Sequence, residues 1–122
     1  MIKDDEQLLR FVYEQIVTLE TYYTEVDEQV FLKDSQLQDA CLMKLLVIGE
    51  YTSKLSDSFK SRFIEIEWLL IKAARNYYAH AYGSITWPKV WSALITNIPD
   101  LKRKFENIIE VLESEKQNAK TN

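Results

Sequence analysis

Residues 75–83 read RNYYAHAYG and carry the only histidine of the chain, His80, with Arg75 five residues before it and Tyr82 two after it. An imidazole can exchange a proton near neutral pH. A guanidinium is a fixed cation whose planar fork matches phosphate oxygens. Together they meet the two needs of RNA cleavage by the RNA's own 2′-hydroxyl, a proton shuttle and charge stabilisation at phosphorus. That route needs no metal, and a chain with one cysteine and one histidine has no dedicated zinc site. A histidine at a helix end is also favoured by the helix dipole alone, and Tyr77, Tyr78 and Tyr82 could be half-buried aromatics with wet hydroxyls. The chemistry therefore turns on arrangement.

On a regular helix Arg75 and His80 stand about 140° apart and do not share a face. Asn76 and His80, four apart, do share one, so the Asn76 amide is placed to orient the imidazole. Arg75 and Tyr82 align if the helix persists that far. A single chain thus makes an incomplete site. A two-fold dimer with these helices at its axis would gather two arginines and two histidines in one cleft, one imidazole serving as base and the other as acid.

The elements that must position these residues are helices. Two glycines and two prolines in 122 residues leave few tight turns for a sheet, and apolar residues recur at steps of three and four. The spacing predicts a first helix over residues 4–26 and a central helix from Asp34 or Ser35 to about Leu55. Gly49, inside that central helix, implies close packing against a neighbour. "SDSFKSRF" reads as a polar connection with room for a single helical turn. A third helix covers about Glu65 to Ala81, with Gly83 as its C-cap. Thr86 caps a fourth, with Pro88 in its first turn. The chain then bends at "TNIPD", and Pro99 starts a fifth helix through Leu112. The expected architecture is an all-α bundle of four to five helices, with residues 1–113 as one domain and 114–122 as a frayed tail.

The net charge of −4 argues against a general nucleic-acid binder. Contact with RNA then needs a local basic patch, for which the candidates are Lys72, Arg75 and the run Lys102, Arg103, Lys104. No apolar run approaches the roughly 20 residues that span a bilayer, and the polar, acidic start is unlike a targeting peptide. A cytoplasmic protein without membrane contact is expected.

Arg75, Asn76, His80 and Tyr82 together resemble the R-x4-H-x-Y signature of the HEPN superfamily, in its HepT-like toxin branch. The resemblance extends to "LQDACLMKLLVIGEYTSKLSDSF", similar to that family's central helix with its IGEA-like element, and to "VWSALITNIPDLKRKFENII" near the C-terminus. Trp68 and Trp91 fall at the family's spacings, and the likeness covers roughly residues 5–112. It implies an all-α homodimer acting as a metal-independent endoribonuclease toxin without a cofactor. It further implies a minimal, MntA-like nucleotidyltransferase antitoxin that silences the toxin by adding AMP to the signature tyrosine. Carried over by position, Arg75 and His80 are catalytic, Asn76 supports them, Tyr82 is the modified residue, and transfer or messenger RNA is the substrate. Ala73, Ala81 and Gly83 depart from the family pattern, where glycine, an acidic residue and an aromatic residue are common; no motif residue is lost. The alternative is a HEPN module that binds RNA, nucleotide or a nucleotidyltransferase without cutting.

Among other residues, Glu50 is a charge in an apolar setting that either pairs with Arg75 or Lys44 or lies in water at an interface edge. Cys41 reads as core filler, Trp68 and Trp91 as core or interface anchors, and "EVDEQ" at 25–29 as a solvated helix end.

Overall fold

The computed structural model describes residues 4–121; the first three residues of the expected domain and Asn122 of the expected tail lie outside it. All regular structure among the described residues is helical. The first helix, α1 (Asp5–Tyr23), is capped by Asp4, whose carboxylate accepts from the Gln7 amide at 2.7 Å. It buries Leu8, Leu9, Val12, Ile16 and Leu19, the stripe that its three-and-four spacing dictates. The central helix, α3 (Ser35–Thr52), starts at Asp34, which accepts from the Leu37 amide at 3.0 Å. It packs between α1 on one side and α5 (Trp68–His80) on the other.

Two short helices fall where the sequence pattern is weak. In the acidic stretch expected to be only a solvated helix end, Asp27 caps α2 (Glu28–Lys33) through the Val30 amide. The one side chain α2 buries, Phe31, lies against Trp91 and Trp87, with ring centroids 5.2 and 6.2 Å away. The polar connection after α3 forms α4 (Asp57–Arg62), which Ser56 caps and Phe59 anchors in the core.

Where the chain was expected to bend at "TNIPD" and start a new helix, no loop intervenes. Instead α6 (Trp87–Ser92) runs through a π-turn at Ala93–Asn97 straight into α7 (Ile98–Thr121). Proline lacks an N–H and crowds the carbonyl four residues earlier. The wider turn absorbs this: the Ile98 amide bonds back five residues to Ala93. Tyr23 supports the turn from α1 by donating its hydroxyl to the Leu94 carbonyl at 2.6 Å. The stretch expected to fray is helical to Thr121, and ion pairs from Glu115 to Arg62 and from Lys116 to Glu6 join it to α4 and α1. Leu9, Ile16, Phe31, Leu94, Phe105 and Ile108 form the centre of the core.

Candidate active site

The helix that carries the motif, α5, buries no residue fully. Trp68 fixes its start, donating its indole N–H to the Lys60 and Phe63 carbonyls at 3.0 Å each. Its close approach to α3 is made by Gly49. A Cβ built there would lie 2.4 Å from Arg75 Cβ and 2.8 Å from Arg75 Cγ. Only a residue without a side chain lets α5 come this near, which is the packing that Gly49 predicted.

Arg75 is held at both ends of its guanidinium. Nη2 pairs with Glu50 on α3 at 2.6 Å, and Nη1 donates to the Asn76 side-chain oxygen at 3.0 Å. Of the two partners weighed for Glu50, the structure takes Arg75; Lys44 donates to Gln15 on α1 instead. Asn76 therefore braces the arginine, and no hydrogen bond joins it to His80 among the described residues. His80 is the last residue of α5, exposed, and makes no side-chain hydrogen bond to the described residues.

The helix does not persist to Tyr82. It stops at His80 with Ala81 as the C-cap, and the chain turns through a 3₁₀ segment at Tyr82–Ser84. Gly83 lies within that turn without a positive φ, so it is not the C-cap its type predicted. The turn aims the Tyr82 hydroxyl at Asp39 on α3, to which it donates at 2.5 Å. This bond to a carboxylate raises the phenol above its ordinary value. Asp39 escaped the sequence reading. Its one available signal was register, because residues eleven apart on a helix differ by only about 20° in direction. Asp39 and Glu50 thus sit on one face of α3, roughly 16 Å apart along its axis. Glu50 anchors the arginine in the middle of α5, and Asp39 the tyrosine just beyond its C-terminal end.

The proposed RNA-contacting cations are not gathered into a patch. Lys72 is exposed on α5. On α7, Lys102 pairs with Glu20 on α1, while Arg103 and Lys104 both pair with Asp100. Lys104 does share one feature with Arg75: both line a cleft of about 340 Å³ between α5 and the start of α7, floored by Ile48, Ile66 and Ile71. No group of three or more metal-ligating side chains occurs among the described residues, and no helix among them is long and apolar enough to cross a membrane.

Fold and site define a class: an all-α HEPN-type bundle with the R-x4-H-x-Y motif at the end of a partly exposed helix. Within that class, the family model described as "Ribonuclease HepT-like" matches residues 12–108, and the chain belongs to this family. It is 30% identical over 108 residues to a protein of Thermococcus cleftensis named "Probable ribonuclease HepT", covering 88% of this chain and 98% of that one. It is 26% identical over 117 residues to a candidate RNase of Methanocaldococcus jannaschii, covering 96% of this chain and 97% of that one. No solved structure matches the chain significantly.

Proposed function

We propose that the chain is a homodimeric, metal-independent endoribonuclease that acts as a toxin in the cytoplasm. The observation that carries this reading is Arg75: a cation braced by Glu50 and Asn76, one helical turn and a half from an unengaged imidazole, in a family of ribonucleases. Arg75 holds the scissile phosphate. His80 removes the proton of the adjacent 2′-hydroxyl, whose oxygen attacks phosphorus. The bond to the 5′-oxygen breaks, that oxygen takes a proton from the second protomer's imidazole, and a cyclic phosphate remains.

Two features favour a second copy. The two catalytic side chains of one chain point in different directions on α5. The outer side of α5 and the loop before it also expose Ile64 (80%), Leu69 (82%) and Leu70 (62%), apolar side chains that a second copy could cover. Pooling two chains also concentrates Arg75 and Lys72 near one RNA against the acidic average charge.

In this reading Tyr82 is the control point. A minimal nucleotidyltransferase antitoxin adds AMP to its exposed hydroxyl, and the added anion repels RNA phosphate and competes for Arg75. The deciding experiment is cleavage of total RNA by purified protein in EDTA, wild type beside His80→Ala. Cutting by the wild type that vanishes in the variant is expected. If neither protein cuts while both bind RNA, the chain is a non-catalytic binding module.

A further inference from the structure

Tyr82 is more exposed than the two other tyrosines whose hydroxyls are anchored across the fold among the described residues, the half-buried Tyr13, which donates to Glu106 at 2.6 Å, and Tyr23. Tyr23 buries its ring and spends its hydroxyl on a backbone carbonyl, as a structural tyrosine does. Tyr82 keeps 54% of its surface exposed and stands edge-on to Trp87 at 6.3 Å. Its one hydrogen bond runs to the exposed carboxylate of Asp39, 43 residues away in sequence. One side of the phenolic oxygen is fixed by a base and the other is open.

We infer that Asp39 positions the Tyr82 hydroxyl for nucleotide transfer and accepts its proton. The inference rests on Tyr82 being the acceptor, as proposed above. In the step, the phenolic oxygen attacks the α-phosphorus of a nucleoside triphosphate. The new O–P bond forms as the bond to the bridging oxygen breaks, and pyrophosphate leaves with that electron pair. The phenolic proton passes to Asp39 Oδ1 and from there to water, to which the carboxylate is exposed. A base already within hydrogen-bond reach typically contributes on the order of 10²–10⁴ in rate.

The same contact gives the step a direction. Once esterified, the tyrosyl oxygen has no proton to donate, and the phosphodiester sets a negative charge beside a carboxylate. The anchor that holds the free hydroxyl therefore expels the product, and the modified side chain leaves α3.

Two measurements test this. With ¹³Cζ-labelled tyrosine, Tyr82 should titrate above the ordinary value near 10, because Asp39 is the charge acting on it among the described residues. Asp39→Ala should bring it back down, and an unchanged titration would remove the contact and the inference. The second measurement incubates the full chain with a minimal nucleotidyltransferase from the same genome and ATP labelled at the α-phosphate, locating product on Tyr82 by mass spectrometry. Asp39→Ala and Asp39→Asn should each lose about 100-fold in kcat with KM for ATP nearly unchanged. Their rates should climb with pH as phenolate forms, and Asp39→Glu should recover part of the loss. RNA cleavage by all three unmodified variants should stay at the wild-type level. The amide of Asn can still accept the hydroxyl but cannot take its proton, so wild-type transfer by Asp39→Asn overturns the role assigned to Asp39. A wild type that is never modified, with its titration intact, overturns Tyr82 as acceptor and the inference with it.

Discussion

Gly49→Ala tests the contact on which the site is built. Inside a helix, alanine is favoured over glycine by up to about 1 kcal/mol, so propensity alone makes this variant more stable. The structure reverses the sign. The new Cβ would lie 2.4 Å from Arg75 Cβ, an atom fixed to the backbone of α5 rather than the far end of a flexible chain. Reaching an ordinary carbon–carbon contact of roughly 3.5 Å moves α5 away from α3 by about 1 Å. Overpacking of this kind costs about 1–3 kcal/mol. Set against the propensity gain, the net is a loss near 1 kcal/mol, or about 4 °C in Tm for a chain of this length. The displacement also draws Arg75 from Glu50, and a misplacement of about 1 Å in a catalytic group can cost on the order of 10²-fold in rate. Urea unfolding and RNA cleavage measure the two effects. Gly83→Ala is the control, because it meets open space at a φ open to any residue, and both its stability and its activity should stay near wild type. A Gly49→Ala variant that melts higher and cuts normally would refute the close approach.

Three further outcomes follow from other contacts. Glu50→Gln should change stability by at most about 1 kcal/mol, because the pair with Arg75 is 36% and 44% exposed, yet should lower cleavage roughly tenfold by loosening the guanidinium; a large unfolding effect with unaltered cleavage would make the pair structural only. Thr52→Val should stabilise the fold by about 1 kcal/mol in urea unfolding, since the Thr52 hydroxyl is buried without a hydrogen-bond partner among the described residues and valine has nearly its shape; a loss instead would mean that the hydroxyl is satisfied in solution. Burial pushes the Cys41 thiol from its ordinary value near 9 up to about 11. Between those values the folded chain keeps a proton that the unfolded chain releases, so unfolding free energy should fall as pH rises from about 9 to about 11, and Cys41→Ala should flatten that slope.

Much of the bundle was legible because its long helices bury a clear stripe, as α1 does with Val12, Ile16 and Leu19. What escaped has specific causes. The short α2 buries a single side chain, Phe31, so no period could show, and its cap Asp27 was hidden among other acids. Pro99 reads as a break because it removes a hydrogen bond; that the bond is bypassed by a π-turn depends on Tyr23 reaching across from α1. The tail carries no apolar stripe, and its attachments are ion pairs to residues more than 50 positions away. Within the motif, the residue types were legible and their partners less so. Arg75 was one of two partners weighed for Glu50, whereas Asp39 is an ordinary exposed acid until the turn after His80 brings Tyr82 onto it.

That turn also decides how the motif can work. If α5 continued to Tyr82, the tyrosine would align with Arg75 on one helix face, and its hydroxyl would compete with Glu50 for the same guanidinium. Ending the helix at His80 sends the tyrosine to Asp39 instead, roughly three turns of α3 away from Glu50. The free chain therefore keeps its arginine unobstructed and its tyrosine restrained, with both anchors on one face of one buried helix. A change confined to Tyr82 can then alter the occupancy of the site while Arg75 remains seated on Gly49 and Glu50. Because the Arg75–Glu50 pair and the Tyr82–Asp39 hydrogen bond share a scaffold but no side chain, substitutions at Asp39 and at Glu50 should act independently. Coupling between them in a double-mutant cycle on unmodified protein would mean that the scaffold itself moves.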